Sequence, residues 1–365
     1  MTAAPIDNQP VKLDSLVRAG RWLLDSGIQA PNGGVARFYR ADLGRNRAIS
    51  TEITGYTANA LMYLHSVTGD PVYLDRARHT ARFLASDAWD PAAGNFPFEH
   101  GAGAESRLYF FDCGIIVRGL LAVWRETHDE FLLARAVDCG RAMIRDFDTG
   151  SEIHPILTLP DKTPVARDSG WSRNPGCYQL KSALAWRDLA AITGESACAG
   201  AFKRAFDRHR ERSLSGYGDY LPGTSESERV MDRLHPFCYF LESLLPDLDD
   251  ERCALALADG IARVSRYLRE ISPEFARSDV YAQLLRVRLW AAGTLPLDTD
   301  AAQQEAEVLE TFQMCSDDPR IDGGFAFGIR RGEAIPHINP VSTAFAIQAL
   351  HMWHARVLPP VSSLI

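Results

Sequence analysis

Residues 66–84 read SVTGDPVYLDRARHTARFL, and this stretch decides the fold. A segment with apolar residues three and four apart runs out at Thr68 and Gly69. Asp70 follows, then Pro71, and a second segment of the same period begins at once. That period is helical. An acid suits the N-cap or first turn of a helix, and proline suits its first helical position. The stretch is therefore a helix, a tight turn and a second helix. The pattern recurs three times, as RETHDEFLLARAVDCGRAM at 125–143, AITGESACAGAFKRAF at 191–206 and LPDLDDERCALALADGIA at 245–262. Asp129, Glu195 and Asp249 are the corresponding acids.

Working outward from these turns, the period predicts twelve helices, at 12–27, 52–67, 71–87, 108–127, 129–147, 175–193, 196–213, 229–245, 250–271, 278–293, 299–315 and 339–356. No long alternating strand pattern competes, so the chain reads as all-α. The helices alternate in character. The second, fourth and last contain ITGYTANALMYL, FFDCGIIVRGLLAVW and NPVSTAFAIQALHMW, apolar or small on most faces, while the third and seventh carry RARHTAR and KRAFDRHRER. A helix apolar nearly all round is buried, and one with a charged stripe faces water. Six inner helices within an outer layer describe an (α/α)6 toroid, a single domain spanning 1–365 with 1–10 as a flexible N-terminal segment.

Composition agrees with a soluble globular protein. The chain has 365 residues, 46% hydrophobic and 24% charged, and its net charge of -8 argues against a nucleic-acid or anionic-membrane partner. Seven scattered cysteines without a C-x-x-C pair read as buried thiols in a reducing compartment. The opening MTAAPIDNQPVKLD has neither a basic nor an apolar signal region, and no apolar run is long enough to span a bilayer. A cytoplasmic location is expected, and homo-oligomerisation stays open. No H-E-x-x-H, P-loop, G-x-S-x-G or C-x-x-C motif occurs, so neither a cofactor nor a metal is expected; the loop acids Asp317, Asp318 and Asp322 leave only calcium to consider.

The connections from inner to outer helices are short. Those from outer to inner are long, at 28–50, 88–107, 148–174, 214–228 and 316–338. In an alternating toroid all of these emerge over the N-termini of the inner helices, and long loops in a compact fold are usually functional. The active-site candidate is that mouth. The T-G-D-x-x-Y-L-x-x-A turn at 68–77 and the loops GGVARFY (33–39), GNFPFEHG (94–101) and GGFAFG (323–328) complete a likeness over nearly the whole chain. The chain resembles the six-hairpin superfamily of carbohydrate-active enzymes, which includes glycoside hydrolases, polysaccharide lyases and sugar 2-epimerases. The resemblance implies a saccharide substrate and general acid/base chemistry, and matches no single family's catalytic signature.

Candidate residues follow from position. His235, in RLHPFCYFLE, is placed at the N-cap of the eighth helix with Pro236 after it, either as an acid/base group or as a plain cap. Asp112 stands among aromatics at the start of the fourth helix, where the surroundings raise a carboxyl pKa and suit it to act as a general acid, or else it ties down the 88–107 loop before it. Glu52 is a second carboxylate at the mouth; Asp279 serves as a third or caps the tenth helix. His337, just outside the Asn339-Pro340 helix start, would join His235 in two-base chemistry. Tyr39, Tyr56, Tyr109, Trp171, Tyr178, Tyr239, Tyr281 and Phe325 are candidate stacking surfaces for a sugar. Arg37, Arg107, Arg173, Lys181, Arg233 and Arg277 are candidate grips for an anionic sugar such as a uronate, unless neighbouring carboxylates hold them. Asn339 completes the set. Two other classes remain: a terpene-cyclase-like toroid, suggested by PDLDDE at 246–251 but at the wrong end, and a non-catalytic glycan- or protein-binding toroid.

Overall fold

A computed structural model describes residues 14–101, 106–215 and 227–365; the expected flexible segment 1–10 lies outside the described residues. Twelve α-helices are present among them: α1 (Asp14–Asp25), α2 (Thr51–Thr68), α3 (Pro71–Ala85), α4 (Phe110–Thr127), α5 (Glu130–Phe147), α6 (Gln179–Thr193), α7 (Ser196–Ser215), α8 (Ser227–Leu244), α9 (Glu251–Ile271), α10 (Ser278–Ala291), α11 (Thr299–Glu310) and α12 (Pro340–Ala355).

The repeated turn has one local mechanism. Thr68, Thr127 and Thr193 each donate to a carbonyl one turn back, on Leu64, Val123 and Leu189. The same hydroxyls accept the main-chain N–H of Asp70, Asp129 and Glu195. The residue between threonine and acid is left-handed, at φ 70° for Gly69, 51° for His128 and 75° for Gly194. Asp70 and Asp129 then cap the following helix by accepting from Val72 and Phe131. Orphan donors and acceptors at both helix ends are thus satisfied within a few residues. The fourth turn differs from the expectation. A 3-10 turn at Leu245–Asp247 takes up chain, so Asp250 rather than Asp249 caps α9, accepting from Arg252 at 2.8 Å.

Helices α2, α4, α6, α8, α10 and α12 pack in that order, and α12 packs back on α2, closing an inner ring. The others lie outside it, α1 against α12. Glycine permits the closest approaches: a Cβ on Gly119 would sit 2.6 Å from the Gly55 carbonyl oxygen, and one on Gly114 would sit 2.0 Å from Ser182 Oγ. The long connections emerge at the N-termini of the inner helices, as the alternation requires. They contain what an all-α reading missed, three small antiparallel sheets. These order as β2 (Arg45–Asn46), β1 (Tyr39–Arg40), β9 (His337–Ile338); β3 (Arg107–Tyr109), β4 (Ile156–Thr158), β5 (Thr163–Pro164); and β6 (Phe275–Arg277), β7 (Gly328–Arg330), β8 (Glu333–Ala334). Strands of two or three residues are too short to express an alternating pattern. No described helix is long and apolar enough to cross a membrane.

Candidate active site

A cavity of about 420 Å³ opens at the mouth of the ring, and every inner helix contributes to its wall. Glu52 comes from α2, Asp112 from α4, Tyr178 from the N-cap of α6, His235 and Tyr239 from α8, Asp279 from α10, and Asn339 from the N-cap of α12. In a ring of six, α2 faces α8 and α4 faces α10. The hydroxyl of Tyr56 on α2 donates across the ring to that of Tyr239 on α8 at 3.1 Å, beneath the cavity.

His235 is no helix cap. Helix α8 starts at Ser227, so about two turns, roughly 12 Å of helix, precede His235. Pro236 lies within the helix, not at its first position. The expected range of 229–245 already began within two residues of this start, and only Pro236 pointed to a cap at His235. His235 instead lies against α10, with Nδ1 2.8 Å from Gln283 Oε1 and 3.4 Å from Asp279 Oδ2. Both neighbours are acceptors, so Nδ1 carries the proton and Nε2 keeps its lone pair. Burial is the main cause holding the imidazole below its ordinary value; Asp279 pulls it up and Arg277 opposes that.

The carboxyl groups divide by partner. On the α2–α4 side, Asp112 Oδ2 is buried with no hydrogen-bond partner. Burial pushes its carboxyl well above the usual range, and neighbouring Glu52 adds to the effect. Glu52 is pushed up to about 7 by burial, with Arg37 pulling partly back. On the opposite side Asp279 is equally buried, but Arg277 grips it through Nε at 3.0 Å and Nη2 at 2.5 Å. Burial raises that carboxyl, yet Arg277 and His235 outweigh it and hold the group below the ordinary value. Asp279 is not the cap of α10, a position Arg277 occupies; besides the Arg277 Nε–H, its Oδ1 accepts from the adjacent Val280 N–H.

Aromatic surface fills the remaining wall. Trp171, in a 3-10 turn of the 148–174 connection, stands edge-on to Tyr178 at 5.1 Å, and Tyr109 faces Phe98 at 4.9 Å. Phe38 stacks on His337 at 4.5 Å, and His337 is held below its ordinary value by burial and then by Arg40. Phe38, Phe98 and Phe327 line the cavity and lie inside the three Gly-Gly-aromatic loops, a signal that could have singled them out. Nothing in the sequence marked Gln283 or Phe111.

Several candidates fall elsewhere. Tyr39 is buried in β1, under the guanidinium of Arg320. Tyr56 lies below the cavity, and Tyr281 shares a 2.6 Å hydrogen bond with Ser272 between helices. Arg107 in β3 supports Tyr109 from outside the wall. Arg173 pairs with Asp168 at 3.1 Å, while Phe325 is core and Arg233 is off the wall. Lys181 is fully buried below the cavity, 3.1 Å from Glu242 and donating to the main-chain oxygen of Ile365 at 3.0 Å. Of the calcium candidates, Asp318 is held by Arg320 and Asp322 by Arg18, and no described cluster of three or more ligand side chains suits a metal. The acids of 246–251 cap α9 and pair with Arg187, in a turn at the far end of the ring.

No protein-family model matches the sequence, and comparison with curated proteins finds no match. Solved structures do match. A cellobiose 2-epimerase from Bacillus thermoamylovorans B4167 superposes with a TM-score of 0.72 at 12% identity, over 95% of this chain and 98% of that one. A sugar epimerase from a ruminal bacterium gives 0.70 at 11% identity, over 94% and 100%. An unsaturated glucuronyl hydrolase from Bacillus sp. GL1 gives 0.64 at 13% identity, over 93% and 95%. The chain shares the (α/α)6 toroid fold of these enzymes.

Proposed function

We propose that the chain, working as one toroid domain, is a carbohydrate-active enzyme that acts on a saccharide by general acid/base chemistry at the mouth of the ring. One observation carries this reading: the same cavity presents a buried Asp112 carboxyl, raised well above its usual range and with Oδ2 unpartnered, and an imidazole on His235, held below its ordinary value, with Nδ1 engaged by Gln283. A proton donor and a proton acceptor ready together at neutral pH are what cleavage or isomerisation of a sugar requires. Aromatic walls supply stacking for the apolar faces of pyranose rings. A binding module would have no use for the unpaired carboxyls, and a cyclase would place its acids at this mouth rather than at 246–251. The fold neighbours are named as sugar epimerases and a glucuronyl hydrolase, which agrees.

Asp112 is the proton donor, Glu52 the group that shares its titration, and His235 the base. An anionic substrate would be gripped by Arg37, which lines the cavity with its nearest carboxylate, Glu99, 4.0 Å away. Arg277 is committed to Asp279 and Asp232. The pairing of His235 and His337 in one cavity favours a second reading, two-base epimerisation, over cleavage. Six of the seven free thiols are buried, which supports a reducing, cytoplasmic setting.

The test is turnover of uronate-containing and neutral disaccharides in D₂O. New reducing ends report cleavage, and deuterium at C2 of recovered sugar reports epimerisation. Asp112→Asn should lower turnover by about a hundredfold or more. The rate should rise with pH through a pKa below 6.5, set by His235, and fall again as Glu52, pushed up to about 7, and Asp112, also raised by burial, lose their protons. Full activity in Asp112→Asn would refute the assignment.

A further inference from the structure

His235 has two neighbours on Nδ1, and they are not equivalent. Asp279 stands at 3.4 Å and is already engaged by Arg277 through two shorter bonds, at 3.0 and 2.5 Å. Gln283 stands at 2.8 Å, is fully buried one turn further along α10, and has no other hydrogen-bond partner: its Nε2 is buried and unpaired. A buried amide that leaves half its hydrogen-bonding capacity unused is held there for the bond it does make. Turning the amide over would put its NH₂ against Nδ1 and leave the Asp279 carboxylate facing a lone pair. The carboxylate therefore selects the orientation in which Oε1 accepts from Nδ1–H.

We propose that Gln283 is the positioning residue that locks His235 in the tautomer with its lone pair on Nε2, towards the cavity. This rests on the reading of His235 as the base. An amide achieves something a carboxylate would not. It fixes the ring without adding a second full negative charge, so the imidazole stays neutral and available at neutral pH. The charged groups facing the ring are Asp279, Arg277 and, on its own helix, Glu242. The ion pair between the first two weakens the carboxylate's own pull on the ring, so Asp279 orients the amide while the shorter 2.8 Å bond from Nδ1 to Gln283 holds the tautomer.

The test uses two substitutions of matched size, Gln283→Met and Gln283→Glu, in the full chain. The ring nitrogens of His235 are followed by long-range ¹H–¹⁵N NMR, with His235→Asn to assign the signal. In the unaltered protein at pH 8, Nδ1 should be protonated and Nε2 not. Gln283→Met should yield a mixture of tautomers and lower kcat by about tenfold or more with KM little changed. Gln283→Glu should keep the tautomer but raise the imidazole pKa by about one unit or more, moving the acid limb of the rate profile with it. Two results would overturn the proposal: the original tautomer intact in Gln283→Met, or an unmoved pKa in Gln283→Glu. A tautomer change in Gln283→Met without any loss of kcat would instead uphold the role of Gln283 and remove His235 from the chemistry.

Discussion

On the α2–α4 wall, half-buried Glu52 and buried Asp112 have no cation in hydrogen-bond contact and are both pushed above the usual carboxyl range; across the ring, Asp279 is as deeply buried as Asp112, grips Arg277 through two bonds, and is held below that range. The same chemical group is thus set in opposite states 167 and 227 residues apart in sequence by a single difference, the presence of a guanidinium. Burial alone always penalises the charged form, and only a partner reverses the sign. One wall accepts a loss of stability at neutral pH to keep a proton in place. The other is internally compensated and fixes the ring beside it.

The sharpest way to break this comparison is to remove Asp279. Asp279→Ala would leave Arg277, whose side chain is 8% exposed, with Asp232 as its remaining partner at 2.9 Å. Deleting one member of a buried pair strands the other, at about 3–5 kcal/mol. Urea denaturation should show that loss. A change under about 1 kcal/mol would mean that the two walls are not energetically distinct.

The opposite wall should respond with the opposite sign. Burial pushes Glu52 up to about 7 from its ordinary 4.5, so between those values the folded state retains a proton that the unfolded chain has released. The stabilisation this gives is complete below about 4.5 and is lost as pH rises through about 7. Glu52→Gln removes the charge while keeping the shape. Because Glu52 retains some exposure to the open cavity, the gain at pH 8 should be about 1–2 kcal/mol, disappearing near pH 4. Melting temperatures at the two pH values measure it, and equal shifts at both would contradict the burial argument.

The two walls were also unequally legible in the sequence. Asp112 could be read as a raised carboxyl because its aromatic neighbours, Tyr109, Phe110 and Phe111, are adjacent in the chain. The hairpins were legible for the same reason: threonine, left-handed residue and acid act within a few positions of one another. The partners of His235 were not, since Gln283 lies 48 residues away and is placed by α8–α10 packing that no local pattern encodes. The cations misled for a related cause. Lys181 and Arg173 each find a carboxylate, and a residue type at a plausible position says nothing of whether its charge is already engaged.

The smallest expected effect sharpens the comparison from inside one ion pair. Arg277 holds two carboxylates, Asp279 with a side chain 4% exposed and Asp232 with one 54% exposed. Both bonds are short, at 2.5 and 2.9 Å, so distance alone would rank them as comparable. Water screens the Asp232 contact, and an exposed pair is worth about 0–1 kcal/mol. Asp232→Asn also preserves a side-chain oxygen that can accept from Arg277. The variant should therefore lose no more than about 0.5 kcal/mol in urea denaturation and leave the His235 pKa unmoved, because Asp279 still balances the guanidinium. A loss approaching that of Asp279→Ala would show that Arg277 depends on both carboxylates together, and that solvent at the rim of the cavity does not screen as its exposure implies.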